Sequence, residues 1–348
     1  MSVLQWKIKA VIRETHEAAS YILEEINGVP VPYEAGQFLT FLFTHTGHEI
    51  RRSYSISSTP GIDDYIAVTV KQKKNGEISR YIAKHWQPGT MVNSILPAGR
   101  FTIDTSTVAS RQFFFIAAGS GIVPVFALLK LVLHTEPSST VVLIYQNHTE
   151  RSIIFHEQLL ALQKQYGHRF KRIDLLSTPQ QKKTAPQHLN NTLLEQLIIA
   201  GLQPTAQQFF YTCGPDLFMR MVQFTVLLLG FSEEQVRKEI FTIDAAPVPA
   251  FTMVPVPYRV IIHSGNRQYQ FTVSYPATIL QAALNNHIEL PYSCRAGRCS
   301  TCVAQCIGGS VIMSRNEVLT DKEVQSGLVL TCVGYAETDV ELQFNRLI

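Results

Sequence analysis

CRAGRCSTC, residues 294–302, sets three cysteines in nine positions, and twenty-nine residues separate Cys302 from a fourth, Cys332. Three fates compete for such a set: disulfides, a zinc site or an iron-sulfur cluster. Structural zinc usually takes its ligands as two separated pairs on two knuckles. A trio on one tight loop with one distant cysteine instead wraps a compact cluster from one side and closes it from the other, and the spacing C-x4-C-x2-C with a late cysteine is that of a [2Fe-2S] centre. Cys294, Cys299, Cys302 and Cys332 are therefore the expected metal ligands. Arg295, Ala296, Gly297 and Arg298 read as small or outward-reaching spacers that let the loop curl and aim N–H groups inward. Cys306 reads as a bland buried thiol beside the site, and disulfides fit poorly, since cluster ligands must be thiolates.

The rest of the chain sets the context. At 348 residues it has room for two or three domains. Thirty basic against twenty-seven acidic residues, with no basic block, argue against nucleic acid or an anionic membrane as partner. The first twenty residues lack the pattern of a secretory signal, and five of the six cysteines fall after residue 290, so a cytoplasmic location is expected. FFFIAAGSGIVPVFALLKLVL, residues 113–133, approaches the roughly 20 apolar residues of a membrane span. Gly119, Ser120, Gly121, Pro124 and Lys130 interrupt it; a buried strand, glycine turn and helix account for the same letters without membrane insertion.

Three folded units and a linker are expected. Residues 1–105 carry short β-branched and aromatic runs separated by turn residues, the pattern of a β-barrel. Residues 106–241 alternate buried strands with amphipathic helices, the pattern of an α/β parallel sheet. Residues 242–257, with four prolines and three alanines, read as a semi-extended linker. Residues 258–348 read as a small α+β domain, with a hairpin around Gly265 and Asn266 and one helix in ATILQAALNNH. From residue 257 on, seven basic residues balance seven acidic ones, so the domain lacks the strongly acidic face of a freely diffusing electron carrier.

This last unit resembles plant-type ferredoxins, which implies a β-grasp fold around the cluster. Upstream, RSYS at 52–55 precedes NGEIS at 75–79, a turn leading into a helix whose first N–H groups suit a phosphate. An arginine suits a pyrophosphate and a tyrosine ring can stack on an isoalloxazine. These motifs resemble the flavin site of the ferredoxin-NADP reductase family, Arg-x-Tyr-Ser followed by Gly-x-x-Ser. The resemblance implies that Arg52 holds a phosphate, Ser53 and Tyr54 line the ring, Ser55 sits near its reactive edge, Lys71 lies beside it, and Gly76, Glu77, Ile78 and Ser79 cap the pyrophosphate. It favours FAD over the FMN that other oxygenase reductases carry.

AGSGIVP at 118–124 and YTCGP at 211–215 fall at strand ends of the parallel unit. In the same family these motifs bind the nicotinamide dinucleotide, which implies roles for Gly119, Ser120, Gly121, Pro124, Gly214 and Pro215 and puts Cys213 close to the hydride-donating carbon. Glu239 and Phe241 occupy the stretch where the family returns to the flavin; with Ser55 and Cys213, Glu239 is a candidate catalytic residue. The choice between NADPH and NADH stays open: Thr178 stands where NADPH users commonly place an arginine, while His148, Arg151, Lys182 and Lys183 could meet a 2′-phosphate.

The order of motifs is similar to that in reductase components of phenylacetyl-CoA epoxidases and ketosteroid hydroxylases, and in reductases of hybrid-cluster proteins. The expected function is electron transfer from NAD(P)H through FAD and [2Fe-2S] to a terminal oxygenase or another acceptor protein, such as a desaturase. A redox-sensing iron-sulfur protein without turnover is the competing class.

Overall fold

The computed structural model describes residues 3–45, 48–181, 185–241 and 253–344. Most of the expected linker, and Lys182 and Lys183, lie outside these residues.

Among the described residues the first unit is an antiparallel six-stranded sheet. Its strands are β1 (Val3–Arg13), β2 (Ala18–Glu25), β3 (Phe38–His45), β4 (His48–Ser55), β5 (Ile66–Lys71) and β6 (Met91–Ile95), in the order β4-β3-β6-β1-β2-β5. The Ile56–Val68 bridge draws the two edges together into a barrel. Trp6, Phe41, Tyr21 and Trp86 fill its interior. Helix α1 (Glu77–His85) follows β5, with Glu77 at its positive end and Lys84 and His85 at its negative end, each matching the helix dipole.

The second unit is a parallel sheet in the order β11-β10-β7-β8-β9. Its elements are β7 (Arg111–Ala118), α2 (Ile122–Thr135), β8 (Thr140–Asn147), α3 (His156–Tyr166), β9 (Phe170–Leu176), α4 (Asn191–Gly201), β10 (Gln207–Cys213), α5 (Asp216–Leu228) and β11 (Val236–Glu239). Strand β7 shows why FFFI is continuously apolar. Phe113 and Phe115 pack beneath α2 and α3, whereas Phe114 and Ile116 pack beneath α4 and α5, so both strand faces are buried. Residues 113–133 thus form a strand, a glycine turn and a fourteen-residue helix. No helix among the described residues is long and apolar enough to cross a membrane.

The third unit contains β12 (Tyr258–Ser264), β13 (Arg267–Val273), α6 (Ile279–Asn285), β14 (Val303–Gly308), β15 (Val311–Met313), α7 (Asp321–Gln325), β16 (Leu328–Leu330), β17 (Gly334–Ala336) and β18 (Val340–Phe344). Five strands form the sheet β13-β12-β18-β14-β16. Thr278 caps α6, its hydroxyl accepting from Gln281 N–H at 3.2 Å, and Ile279, Leu280, Ala282 and Ala283 of this helix are buried.

Candidate active site and cluster loop

The sheet pairing brings the distant cysteine home. Strands β14 and β16 pair Val303 with Leu330, and Thr331 donates to the Cys302 carbonyl through N–H at 3.2 Å and hydroxyl at 3.1 Å. Cys332 consequently ends beside the loop that carries the other three. Backbone N–H groups of Cys294 and Ala296 point to the Cys299 and Cys294 sulfurs, each at 3.4 Å. The Cys294 thiol is pushed well down by hydrogen bonds from Cys299 and Cys332, while Cys299 and Cys332 are pushed up because they donate to it. Four converging sulfurs with N–H groups turned toward them match the donor set of a [2Fe-2S] cluster.

Two expectations around the loop need correction. Arg298 does not reach outward: it is 8 % exposed, and its Nε lies 3.2 Å from Glu317 Oε2, because a buried guanidinium must be paired. Cys306 is half-buried rather than buried, and its thiol bonds the Gly308 carbonyl at 3.4 Å.

Beside this loop lies a cavity of about 540 Å³. The barrel lines it with Arg52, Ser53, Tyr54, Ser55, Lys71, Gly76, Glu77, Ile78 and Ser79; the parallel sheet adds Ser120, Glu239 and Phe241. Ser293, Cys294 and Cys299 close it from the third unit. Asn75 and Val123, inside the quoted motifs, also reach the cavity, as do Lys73 and Ile240, which belong to no quoted motif.

The residues present fit a dinucleotide flavin. Arg52, Lys71 and Lys73 concentrate positive charge near the N-terminus of α1, where a pyrophosphate is favoured. A side chain at Gly76 would stand 2.5 Å from Ser79 Oγ and 2.9 Å from Lys73 Cβ, so only glycine leaves the cradle open. Ser55 is 4 % exposed, and its hydroxyl has no hydrogen-bond partner among the described residues, a cost that a bound polar group removes. The Ser79 hydroxyl accepts from Lys73 N–H at 3.1 Å and donates to the Gly76 carbonyl at 3.3 Å, so it closes the loop and leaves the backbone N–H groups to face an anion. Burial raises the Tyr54 phenol well above its ordinary range, so its ring presents a neutral face.

The remaining sequence candidates gather at the carboxyl ends of the parallel strands, where open α/β sheets bind ligands. Gly119–Gly121 form the turn from β7 into α2, and Pro124 sits in the first turn of that helix, where proline is tolerated. A β-carbon at Gly121 would lie 2.0 Å from the Cys213 carbonyl oxygen; the glycine lets this turn touch the end of β10, which runs on into Gly214 and Pro215. Cys213 itself is fully buried and does not line the cavity. Desolvation, then the facing Glu239, push its thiol well above the usual range, so it is neutral. Glu239, paired with Cys213 across β10 and β11, is raised by burial to about 8. His148 and Arg151 are exposed at the end of β8, and His148 Nδ1 lies 3.2 Å from Ser177 Oγ. Sequence reading missed Glu150 there, which accepts from Gln180 N–H at 2.9 Å and Gln181 N–H at 3.2 Å.

A barrel with an anion cradle, a parallel sheet with a nucleotide edge and a cysteine-loop domain, joined around one cavity, define an iron-sulfur flavoprotein reductase. Comparison with known proteins agrees domain by domain. Residues 15–103 match an oxidoreductase FAD-binding domain, 115–224 an oxidoreductase NAD-binding domain, and 262–337 a 2Fe-2S iron-sulfur cluster binding domain. The ferredoxin reductase component of 3-ketosteroid-9-alpha-monooxygenase from Mycobacterium tuberculosis is 30% identical, covering 99% of this chain and 96% of its own. One of the polypeptides of the 1,2-phenylacetyl-CoA epoxidase of Escherichia coli is 30% identical over 90% of this chain and 89% of its own. The solved structure of phthalate dioxygenase reductase shares the fold, with a TM-score of 0.59 at 21% identity over 99% of this chain and 98% of that one. The chain belongs to the family of three-domain ferredoxin reductase components, and it is an oxidoreductase that carries FAD-binding, NAD-binding and [2Fe-2S] domains.

Proposed function

We propose that this chain is the reductase component of a multicomponent oxygenase, taking electrons from NAD(P)H and delivering them to a terminal oxygenase. The observation that carries the reading is the single cavity to which all three domains contribute, with Tyr54 and Ser55, Glu239 and Phe241, and Cys294 and Cys299 around one space. A bound flavin accepts two electrons as hydride and a [2Fe-2S] cluster carries electrons singly, chemistry that belongs to the cofactors. The protein supplies placement. In this reading Arg52, Lys71 and the N-terminus of α1 bind the pyrophosphate, Tyr54 and Phe241 contribute apolar faces, and Ser55 offers its unspent hydroxyl. The turn 119–121 and Cys213–Pro215 receive the nicotinamide dinucleotide, with His148 and Arg151 at its far end. Glu239, protonated near neutral pH, offers a proton or a neutral hydrogen bond inside the cavity. Cys294, Cys299, Cys302 and Cys332 ligate the cluster.

Domain limits at 1–105, 106–241 and 258–348 belong to the proposal, and the three family matches fall within them. So does a cytoplasmic location, which keeps ligand thiols reduced. The purified protein should be brown-yellow and should reduce cytochrome c with NADH or NADPH. A protein with flavin and iron both bound and no nicotinamide oxidation would refute the reading.

A further inference from the structure

The cysteine loop meets the barrel at one aromatic ring. Tyr292 precedes the first ligand cysteine by two positions, and the Arg51 guanidinium carbon on β4 lies 3.7 Å from its ring centroid. Arg51 also donates to the Tyr292 carbonyl at 3.1 Å, and Glu49 steadies it through Nε at 2.7 Å. A second cation comes from the loop itself, for the Arg295 guanidinium carbon stands 4.3 Å from the same centroid. Arg295 adopts φ 54°, a left-handed conformation uncommon for a residue with a β-carbon. It sits within the cysteine loop, and its side chain comes back over a ring three positions earlier. Next to the ring, Ser293 Oγ lies 2.7 Å from Ser53 Oγ, which lies 2.8 Å from Thr40 Oγ1.

Other charge contacts that tie this unit to the rest are weak. Lys322 to Glu234, at 2.9 Å, is exposed on both sides, and the Arg100–Glu323 pair is partly exposed; such pairs contribute little. Arg51, in contrast, is 13 % exposed, and a cation over an aromatic face gains strength as water is excluded. We propose that Tyr292, gripped by Arg51 and Arg295, is the latch that holds the cysteine loop against the flavin cavity. Arg51 and Tyr292 are then positioning residues: they place Cys294 and Cys299 at the cavity wall without touching the reacting groups. Two cation–ring contacts and a few hydrogen bonds are strong enough to favour the docked arrangement and weak enough to release, as polar interfaces between domains are. The effect on turnover rests on the proposed electron path; the latch does not.

The test compares Tyr292→Leu, Tyr292→Phe and Arg51→Gln in the full chain carrying both cofactors. Hydrogen exchange of the peptide covering 49–55, on the barrel's edge strand, should quicken by about fivefold or more in Tyr292→Leu and Arg51→Gln. In Tyr292→Phe, which keeps the ring, it should stay close to wild type. Anaerobic bleaching of the flavin by NAD(P)H should be unchanged in all three, which also certifies folding, while cytochrome c reduction should fall several-fold in the leucine and glutamine variants alone. Unchanged exchange in Tyr292→Leu, or a phenylalanine variant that behaves like leucine, would overturn the latch. Failure of the wild type to reduce cytochrome c would refute the electron path, leaving the exchange comparison to decide the latch.

Discussion

Gly121→Ala should damage the nicotinamide domain at its most crowded backbone contact. The added β-carbon would stand 2.0 Å from the Cys213 oxygen, 2.4 Å from its carbonyl carbon and 2.9 Å from Gly214 N, where real contacts essentially never fall under 3.0 Å. All three atoms are backbone, so no side chain can rotate away, and the turn must retreat from β10 by about 1 Å or more. That movement carries the start of α2 with it, including Ile122 and Val123, which are 0 % and 2 % exposed. Overpacking of this kind costs about 1–3 kcal/mol, and the rigidity of both partners puts this site near 3 kcal/mol. At roughly 3–4 °C per kcal/mol for a unit of this size, the domain's own calorimetric transition should drop by about 10 °C. The same retreat misplaces the dinucleotide turn, so KM for NAD(P)H should rise at least about tenfold, the equivalent of about 1.4 kcal/mol. Scanning calorimetry of the full chain and steady-state kinetics read both effects. A transition within about 2 °C of wild type together with an unchanged KM would refute the claim that Gly121 exists for this contact.

Other sites give sharper separations. Cys299→Ser should abolish cytochrome c reduction and leave anaerobic flavin bleaching by NAD(P)H intact; loss of both would mean that the loop is needed for the first electron transfer. Ser55→Ala should leave the flavin-free protein as stable as wild type or about 1 kcal/mol more stable, because it deletes a buried unpaired hydroxyl, yet slow flavin reduction at least several-fold in stopped-flow measurements. Glu239 is raised to about 8 in the folded chain, so the native state holds a proton that the unfolded state releases from about pH 4.5 upward. Its contribution is complete below that value and is lost as pH rises through 8. With part of the effect screened by solvent in the cavity, stability should fall by about 1 kcal/mol per pH unit across that window. Glu239→Gln should remove this slope in urea titrations at pH 6 and 8.

Which features were legible in the chain depends on whether their cause was local. Cys294, Cys299 and Cys302 announce themselves because one tight loop must carry three ligands, and β7 announces itself because both its faces are buried, leaving FFFI unbroken by polar residues. The barrel strands β1 and β2 carry mixed patterns, with Val3, Val11 and Ile12 exposed, and they are harder to read for that reason. The orientation of Arg298 was not legible at all: its inward turn depends on Glu317, nineteen positions away, which no spacing rule connects to it. The Ser79 hydroxyl's contacts with Lys73 and Gly76 lie within its own turn, too short in sequence to leave a pattern. Ser293 and Ile240 sit beside residues singled out from the sequence, Cys294 and the Glu239–Phe241 pair, but they join the cavity only through the meeting of domains, which their own residue types do not announce.

The cavity's position follows from where each domain leaves backbone groups unspent. Strand β4 is an edge of the barrel sheet, the turn 119–121 lies at the carboxyl end of β7, and the cysteine loop stands outside the third sheet between α6 and β14. Sheet interiors have satisfied their N–H and C=O groups, whereas edges, strand ends and loops retain donors for ligands. Barrel and parallel sheet are fastened firmly: Thr59 bonds the Ala127 carbonyl of α2 at 3.0 Å, Tyr211 bonds the Thr102 carbonyl at 3.1 Å, and Lys130 pairs with Asp63 in a mostly buried contact. The third unit is held by a ring, a serine pair and partly or fully exposed charges. That asymmetry suits the work. Hydride transfer tolerates little error in placement and falls between the two units that are locked together, while single electrons must leave through the unit that is built to let go.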